Sequence, residues 1–342
     1  MTSVLSPAHR RARWLILLAL CASLAIAGFA LTVGAYPVTT EAIFRSLARL
    51  VSGQEPGDMQ ERVLMTIRAP RVLAGLLIGA ALAASGAAYQ TLFRNPLVSP
   101  DVLGVSAGAG LGAVFGIFLS LPIFFIQLFA FAGGLATVAV VALIATSIRG
   151  RDPVLVLVLG GVVVGALAGA AISLIKILAD PYDQLPAITF WLLGSLSSIR
   201  QNDALAILPA VALGLVPLVL LRWRIDVLST GDEEARALGL PAGALRALVI
   251  ACATLMTASV VALAGVIGWV GLVIPHIARM LVGPAFSRLL PMSLALGGGY
   301  LVLVDTLARS LARIETPIGI LTAIVGAPFF IWLLWRGRND AA

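Results

Sequence analysis

Apolar residues run through this chain in long unbroken blocks, separated by short clusters of arginine, acid and proline. Charge-free stretches cover Trp14 to Thr40, Val72 to Phe93, Val102 to Ile148, Pro153 to Ile175, Ala204 to Leu221, Ala247 to Ala278, Leu289 to Val304 and Thr316 to Trp335. Such blocks lack the period-two alternation of barrel strands and the single apolar face of a soluble helix. They predict helices that are apolar all round and cross a bilayer. A crossing takes about 20 residues, so the two longest stretches must each fold back. Val102 to Ile148 divides near Pro122, and Ala247 to Ala278 divides at Gly265 to Gly268, leaving a short second helix with Pro275 and His276. The pattern predicts ten spans, with an additional short, non-spanning piece around Leu185 to Leu196.

Composition removes the soluble alternative. Of 342 residues, 60% are hydrophobic and 11% charged, and the mean hydropathy is +1.06; a water-facing body of this size needs far more polar surface. The expected fold class is an all-α polytopic membrane protein of about ten transmembrane helices, a single transmembrane domain over 1–342 solvated by membrane lipid. A net charge of +7 would suggest nucleic acid in a soluble domain, but the basic residues punctuate apolar runs without interleaved aromatics, so nucleic acid is not an expected partner. Their placement sets topology instead. With both termini in the cytoplasm, the tail 1–13, the inner loops and the span ends hold fourteen of the 23 basic residues, leaving nine outside. That excess favours this orientation in a cell inner membrane. The basic start and first apolar run could also be a signal peptide cut near Gly34-Ala35, but the run is longer than an ordinary signal core and is kept as the first span.

Catalytic and metal chemistry find little support. Cys21 and Cys252 lie in apolar stretches and have neither metal nor disulfide spacing. Gly104-Val105-Ser106-Ala107-Gly108 matches a hydrolase elbow, yet no strand leads into it, and His276 is the one histidine outside the tail. The only lysine is Lys176, so no phosphate-binding loop exists. No catalytic residue, metal ligand or cofactor is expected on this chain, and any ATP-driven work must come from a partner carrying ATP and Mg.

Three features remain. The polar stretch 222–246 lies on the cytoplasmic side, and Thr230-Gly231-Asp232-Glu233 reads as a capping box that starts a helix closed by Gly239 and Pro241. Such a helix is either a solvated connector or a handle for a partner's groove. Glycines recur at four-residue spacing in Gly104 to Gly116, in Gly161, Gly165 and Gly169, and in Gly75 and Gly79; such stripes allow close helix packing, or line a path for a bulky solute. Asp305 and Arg309 stand four apart near the outer end of the ninth span and read as a local pair.

Several motifs then carry a resemblance. Arg68-Ala69-Pro70-Arg71 leads into Gly79 to Gly86; Asn95-Pro96-Leu97 and Gly104-Val105-Ser106 follow; further on come Gly231 to Leu240, Gly271-Leu272-Val273-Ile274-Pro275-His276 and Gly326-Ala327-Pro328. Together, from about Arg62 to Trp335, they resemble the permease subunits of ABC importers for iron chelates and cobalamin. The resemblance implies a type II importer permease fold, a homodimer, two cytoplasmic ATPase subunits and a periplasmic or extracellular substrate-binding protein. It places ATPase coupling on Gly231, Asp232, Glu233, Glu234, Ala235, Arg236, Leu238 and Gly239, and binding-protein docking on Arg68, Arg71, Arg309 and Arg313. It places Asn95 and Leu97 at the inner exit and Gly161, Gly165 and Gly169 near the pathway. Arg149-Gly150-Arg151-Asp152-Pro153 departs from relatives that carry small hydroxyl residues there as a second gate element. The resemblance favours a ferric siderophore or heme as solute, with cobalamin, molybdate or tungstate as alternatives. An ion-coupled secondary carrier is the competing class; it calls for acids or broken helices at mid-membrane and internal repeats, and Asp305 lies near one end with no clear repeat.

Overall fold

A computed structural model describes residues 7–34, 36–148, 153–311 and 314–339, and among these the chain folds as fifteen α-helices with no strand. α1 (Pro7–Thr32) opens on proline, which suits a first turn because its missing N–H has no intrahelical partner there. Trp14, Leu18, Leu24 and Phe29 face outward as a lipid-facing strip. The helix stops at Thr32, short of the apolar stretch, and Thr40–Val51 forms a separate helix, α2. On α2, Ala42 and Ser46 face the protein while Phe44, Leu47 and Val51 are exposed, the pattern of a helix lying along a membrane surface. Reading charge-free runs passes over it, because Glu41, Arg45 and Arg49 interrupt its apolar positions.

Asp58 caps α3 (Met59–Val63) by accepting the Glu61 backbone N–H at 2.8 Å, and that bond holds its carboxyl below the usual range. Buried Glu61 in turn receives Arg45 at 3.2 Å and Arg49 at 3.0 Å, tying α2 down. A π-helical turn over Leu64–Arg68 then leads into α4 (Ala69–Leu92), with the Ala69 N–H reaching back to Leu64 O. Pro70 lacks the donor for a regular α-turn at this point, and widening the turn accommodates it.

The remaining elements are a 3-10 turn over Pro100–Leu103, α5 (Val105–Phe118), α6 (Ile123–Ser147), α7 (Pro153–Leu178), α8 (Gln184–Leu193), α9 (Gln201–Leu220), α10 (Arg222–Leu228), α11 (Asp232–Ala237), α12 (Ala242–Ala264), α13 (Val270–Val282), α14 (Phe286–Ala308) and α15 (Ile318–Asn339). Among the described residues seven helices are long and apolar enough to cross a membrane alone, and Val105–Phe118, Val270–Val282 and Ile318–Leu333 are shorter apolar helices. Together they occupy the ten expected spans. α8 is the anticipated short piece, and the folds near Pro122 and Gly265 fall between α5 and α6 and between α12 and α13.

α4, α12 and α14 form the buried centre, with α4 lying along α14. In lipid, helices gain little from hiding apolar surface and associate through close contact instead. A β-carbon on Gly79 would overlap the Gly297 carbonyl oxygen, and one on Gly86 would overlap that of Gly271, so α4 meets α14 and α13 backbone to backbone. Gly86→Ala is therefore expected to lower stability by about 1–3 kcal/mol through overpacking. Gly169→Ala, with nothing within 4 Å of the added carbon, should leave the thermal midpoint in detergent unchanged. Equal midpoints for the two variants would refute this packing account.

Candidate functional site

The ten passes put the start of α1 and the end of α15 at one end of the bundle, together with the end of α4, α10, α11 and the start of α12. α11 is short and acidic. Gly231, not Thr230, is its N-cap, and the Thr230 hydroxyl donates to Val227 O at 2.8 Å. The expected Thr230–Glu233 capping box is not formed; the helix starts one residue later, and the Glu234 carboxylate folds back over Gly231. Asp232, Glu233 and Glu234 still fill the first turn, where carboxylates meet the positive end of the helix dipole. The helix closes as expected: Gly239 takes a left-handed conformation (φ 75°), and the Gly239 and Leu240 N–H groups donate to Arg236 O and Ala235 O.

Fully buried Ala235 seats this helix, and Asp232 pairs with Arg246 of α12 at 2.5 Å. Glu233, Glu234, Arg236, Leu238 and Gly239 are exposed, giving a mixed acidic and apolar face. Asn95 and Leu97 lie at the same end: Asn95 Oδ1 accepts the Leu97 N–H at 2.9 Å, and this turn leaves the Leu97 side chain exposed.

At the opposite end the arginines are turned inward. Arg71 Nε donates to both Asp305 oxygens at 3.0 Å, and its two terminal nitrogens each reach a Glu315 oxygen at 2.9 Å. Arg68 donates to Leu31 O, Thr32 O and Tyr36 O, and Arg309 to Val33 O and Ala30 O. Ala30, Leu31 and Thr32 belong to the last turn of α1, whose carbonyls lack intrahelical partners and favour cations, and Val33 and Tyr36 to the segment just after it. The guanidinium groups of Arg68, Arg71 and Arg309, expected as docking charges, are thus engaged within the chain and buried rather than held out as free surface charges. Glu315 is the accessible member of the cluster, its side chain 40% exposed. The expected local Asp305–Arg309 pair is present at 3.8 Å, and a closer partner joins it: Asp305 and Arg71 meet at 2.9 Å across two helices. Sequence spacing carries no signal for that pair. Arg313 and residues 149–152 lie outside the described residues.

The glycine stripes divide. A β-carbon on Gly161 would overlap Val102 O, and Gly108 and Gly112 lie against the α6 backbone, so these glycines serve packing. Gly165 meets only Ala107, at 3.9 Å, and Gly169 faces open space. His276 stacks edge-on against Phe329, joining α13 to α15. Ser106 bonds to the Asp101 carboxylate rather than to a histidine. Beyond α8, Gly194 O accepts the Ile318 N–H at 3.0 Å and the Ser195 N–H donates to Ala264 O at 2.8 Å, holding the ends of α12 and α15 together. A cavity of about 710 Å³ opens at this end of the bundle, lined in part by Gln127, Gln184, Trp191, Arg200 and Asp203.

An all-helical bundle whose central helices meet at glycines, with a short exposed acidic helix at the end where α1 starts and α15 ends, has the architecture of a type II ABC importer permease. A solved structure of a metal-chelate type ABC transporter in an inward-facing conformation superposes with a TM-score of 0.85 at 35% identity, covering 94% of this chain and 98% of that one. The profile of the FecCD transport family matches residues 10–336, and the chain belongs to that family. It is similar to a probable iron chelatin transport system permease protein of Helicobacter pylori, 43% identical over 81% of this chain and 83% of the relative. It is also similar to the molybdate import system permease protein MolB of Haemophilus influenzae, 38% identical over 91% and 93%. A third relative is the cobalamin import system permease protein BtuC of Halobacterium salinarum, 43% identical over 82% and 75%. The chain is thus an ABC importer permease, a membrane subunit of a family that works with ATPase and binding-protein partners and lacks an ATPase site of its own.

Proposed function

We propose that this chain takes up an iron chelate, a ferric siderophore or heme, across the inner membrane as a homodimer with both termini in the cytoplasm. The observation that carries the substrate is the likeness to the iron chelatin permease protein, supported by a hemin permease relative from Yersinia pestis at 38% identity. MolB, matched over 91% of this chain, favours molybdate as the second reading. Mg and ATP reside on two partner ATPases. Their closure displaces the exposed face of α11, Glu233, Glu234, Arg236 and Leu238 above all, and biases the two permease copies between outward-open and inward-open arrangements.

Asn95 and Leu97 narrow the inner exit in this reading, and Gly165 and Gly169 keep the α7 face smooth beside the passage. A passage lined by glycine and apolar groups grips a polar chelate weakly, so selectivity resides mainly in the binding protein. The test is ATP-dependent uptake in proteoliposomes holding this chain, its ATPase and its binding protein, offered ferric siderophores, heme, cobalamin and molybdate side by side. Uptake of a ferric siderophore or heme is expected. Uptake of molybdate alone would transfer the assignment to the second reading, and uptake without ATP would replace the importer by an ion-coupled carrier.

A further inference from the structure

Beside α11, α10 makes one polar attachment to the membrane bundle. The carboxylate of Asp226 accepts the backbone N–H groups of Phe286 and, at 3.3 Å, Ser287. These are the first two residues of α14, and their N–H groups are among the four that a helix start leaves without internal partners. A carboxylate there also meets the positive end of the α14 dipole. Ile225 is fully buried and Leu228 nearly so, so α10 is seated by packing on both sides of Asp226.

α14 runs 23 residues, and at its far end Asp305 grips Arg71 of α4, which in turn holds Glu315 just ahead of α15. Between these ends α14 lies against α4, where Gly79 and Gly297 bring the two backbones together. α12 is the direct continuation of α11, but beyond its outer end Gly265 packs on backbone atoms of Trp191 and Gly194, without an ion pair. The α4–α14 pair is therefore the body that joins the vicinity of α11 at one end to the segment before α15 at the other.

We propose that Asp226 is a positioning residue for energy coupling: it fastens α10 and α11 to the α4–α14 body, so that displacement of α11 is delivered to the Glu315 segment and the start of α15. The proposal rests on the reading of α11 as the ATPase contact. In the complete complex with ATPase and binding protein, Asp226→Ala is expected to keep its ATPases bound and basal ATP hydrolysis within about twofold of the parent. Solute moved per ATP should fall at least tenfold, and stimulation of hydrolysis by the binding protein should be lost. Asp226→Asn keeps a neutral oxygen acceptor and is expected to lose only about threefold, a graded rescue that a general loss of fold would not give.

Unchanged transport per ATP in Asp226→Ala overturns the proposal, and so does loss of the ATPases from the complex, which would make Asp226 an assembly residue. Where Asp226→Ala is not recovered from membranes, Asp226→Asn decides alone, and a ratio equal to the parent's overturns the proposal. The α11 reading fails separately, if Glu233→Lys with Glu234→Lys leaves ATPase association and transport intact.

Discussion

Exchanging Glu233 and Glu234 together for lysine is expected to weaken ATPase association at least tenfold and to abolish ATP-dependent uptake, while the permease itself stays folded. Both side chains are exposed, so no buried contact is lost within the subunit. The helix keeps its anchors in buried Ala235 and the Asp232–Arg246 pair, and two lysines in its first turn oppose the dipole by only about 0.3–1 kcal/mol each. Within a partner's cleft the same reversal sets like charges against each other or strands a carboxylate's partner, which costs several kcal/mol, and about 1.4 kcal/mol already gives tenfold. Copurification of the ATPase with the permease and uptake in proteoliposomes read the two effects separately. If the complex and uptake are both unchanged, α11 is a solvated connector.

The second large effect is expected at Arg71. Arg71→Ala leaves Asp305 buried without its closest cation and frees Glu315 from the start of α4. Removing one partner of a buried pair costs about 3–5 kcal/mol, here toward the lower end, because the remaining carboxylate is cut off from water and keeps only the more distant Arg309, at 3.8 Å. The thermal midpoint in detergent should therefore fall by about 5 °C or more. Asp305→Asn added to Arg71→Ala should recover part of the loss, since a neutral amide needs no counterion. Additive losses in the double variant would show that the two side chains are not coupled. Arg68→Ala should act differently, exposing α1 carbonyls rather than a buried charge, with a smaller cost of about 1–3 kcal/mol.

Much of the bundle was legible in the run of apolar residues because the bilayer imposes it. Each crossing must satisfy its own backbone hydrogen bonds and be apolar along its length, so a span announces itself locally, and Pro122 and Gly265 mark the reversals without reference to any neighbour. α2 escaped that reading because its charges are spaced along a helix face, where only the period shows amphipathicity. The start of α11 was placed one residue early because three consecutive acids offer more than one capping register, and the choice depends on how Ala235 and Asp232 seat against neighbouring helices.

The sequence by itself determined the membrane-spanning class, the number of passes, the absence of a phosphate loop and the family, all of which reside in composition, local pattern or short motifs. Only the tertiary structure decided which charges meet: Arg71 passes over its sequence neighbours for Asp305 and Glu315, more than 230 residues away. It alone separated Gly161, pressed on a carbonyl, from Gly169, facing open space, and turned Arg68 and Arg309 onto the end of α1. The physical reason is that a buried charge or a bare backbone is stabilised by whatever lies within a few ångströms in space, and helix packing, not order along the chain, selects that neighbour.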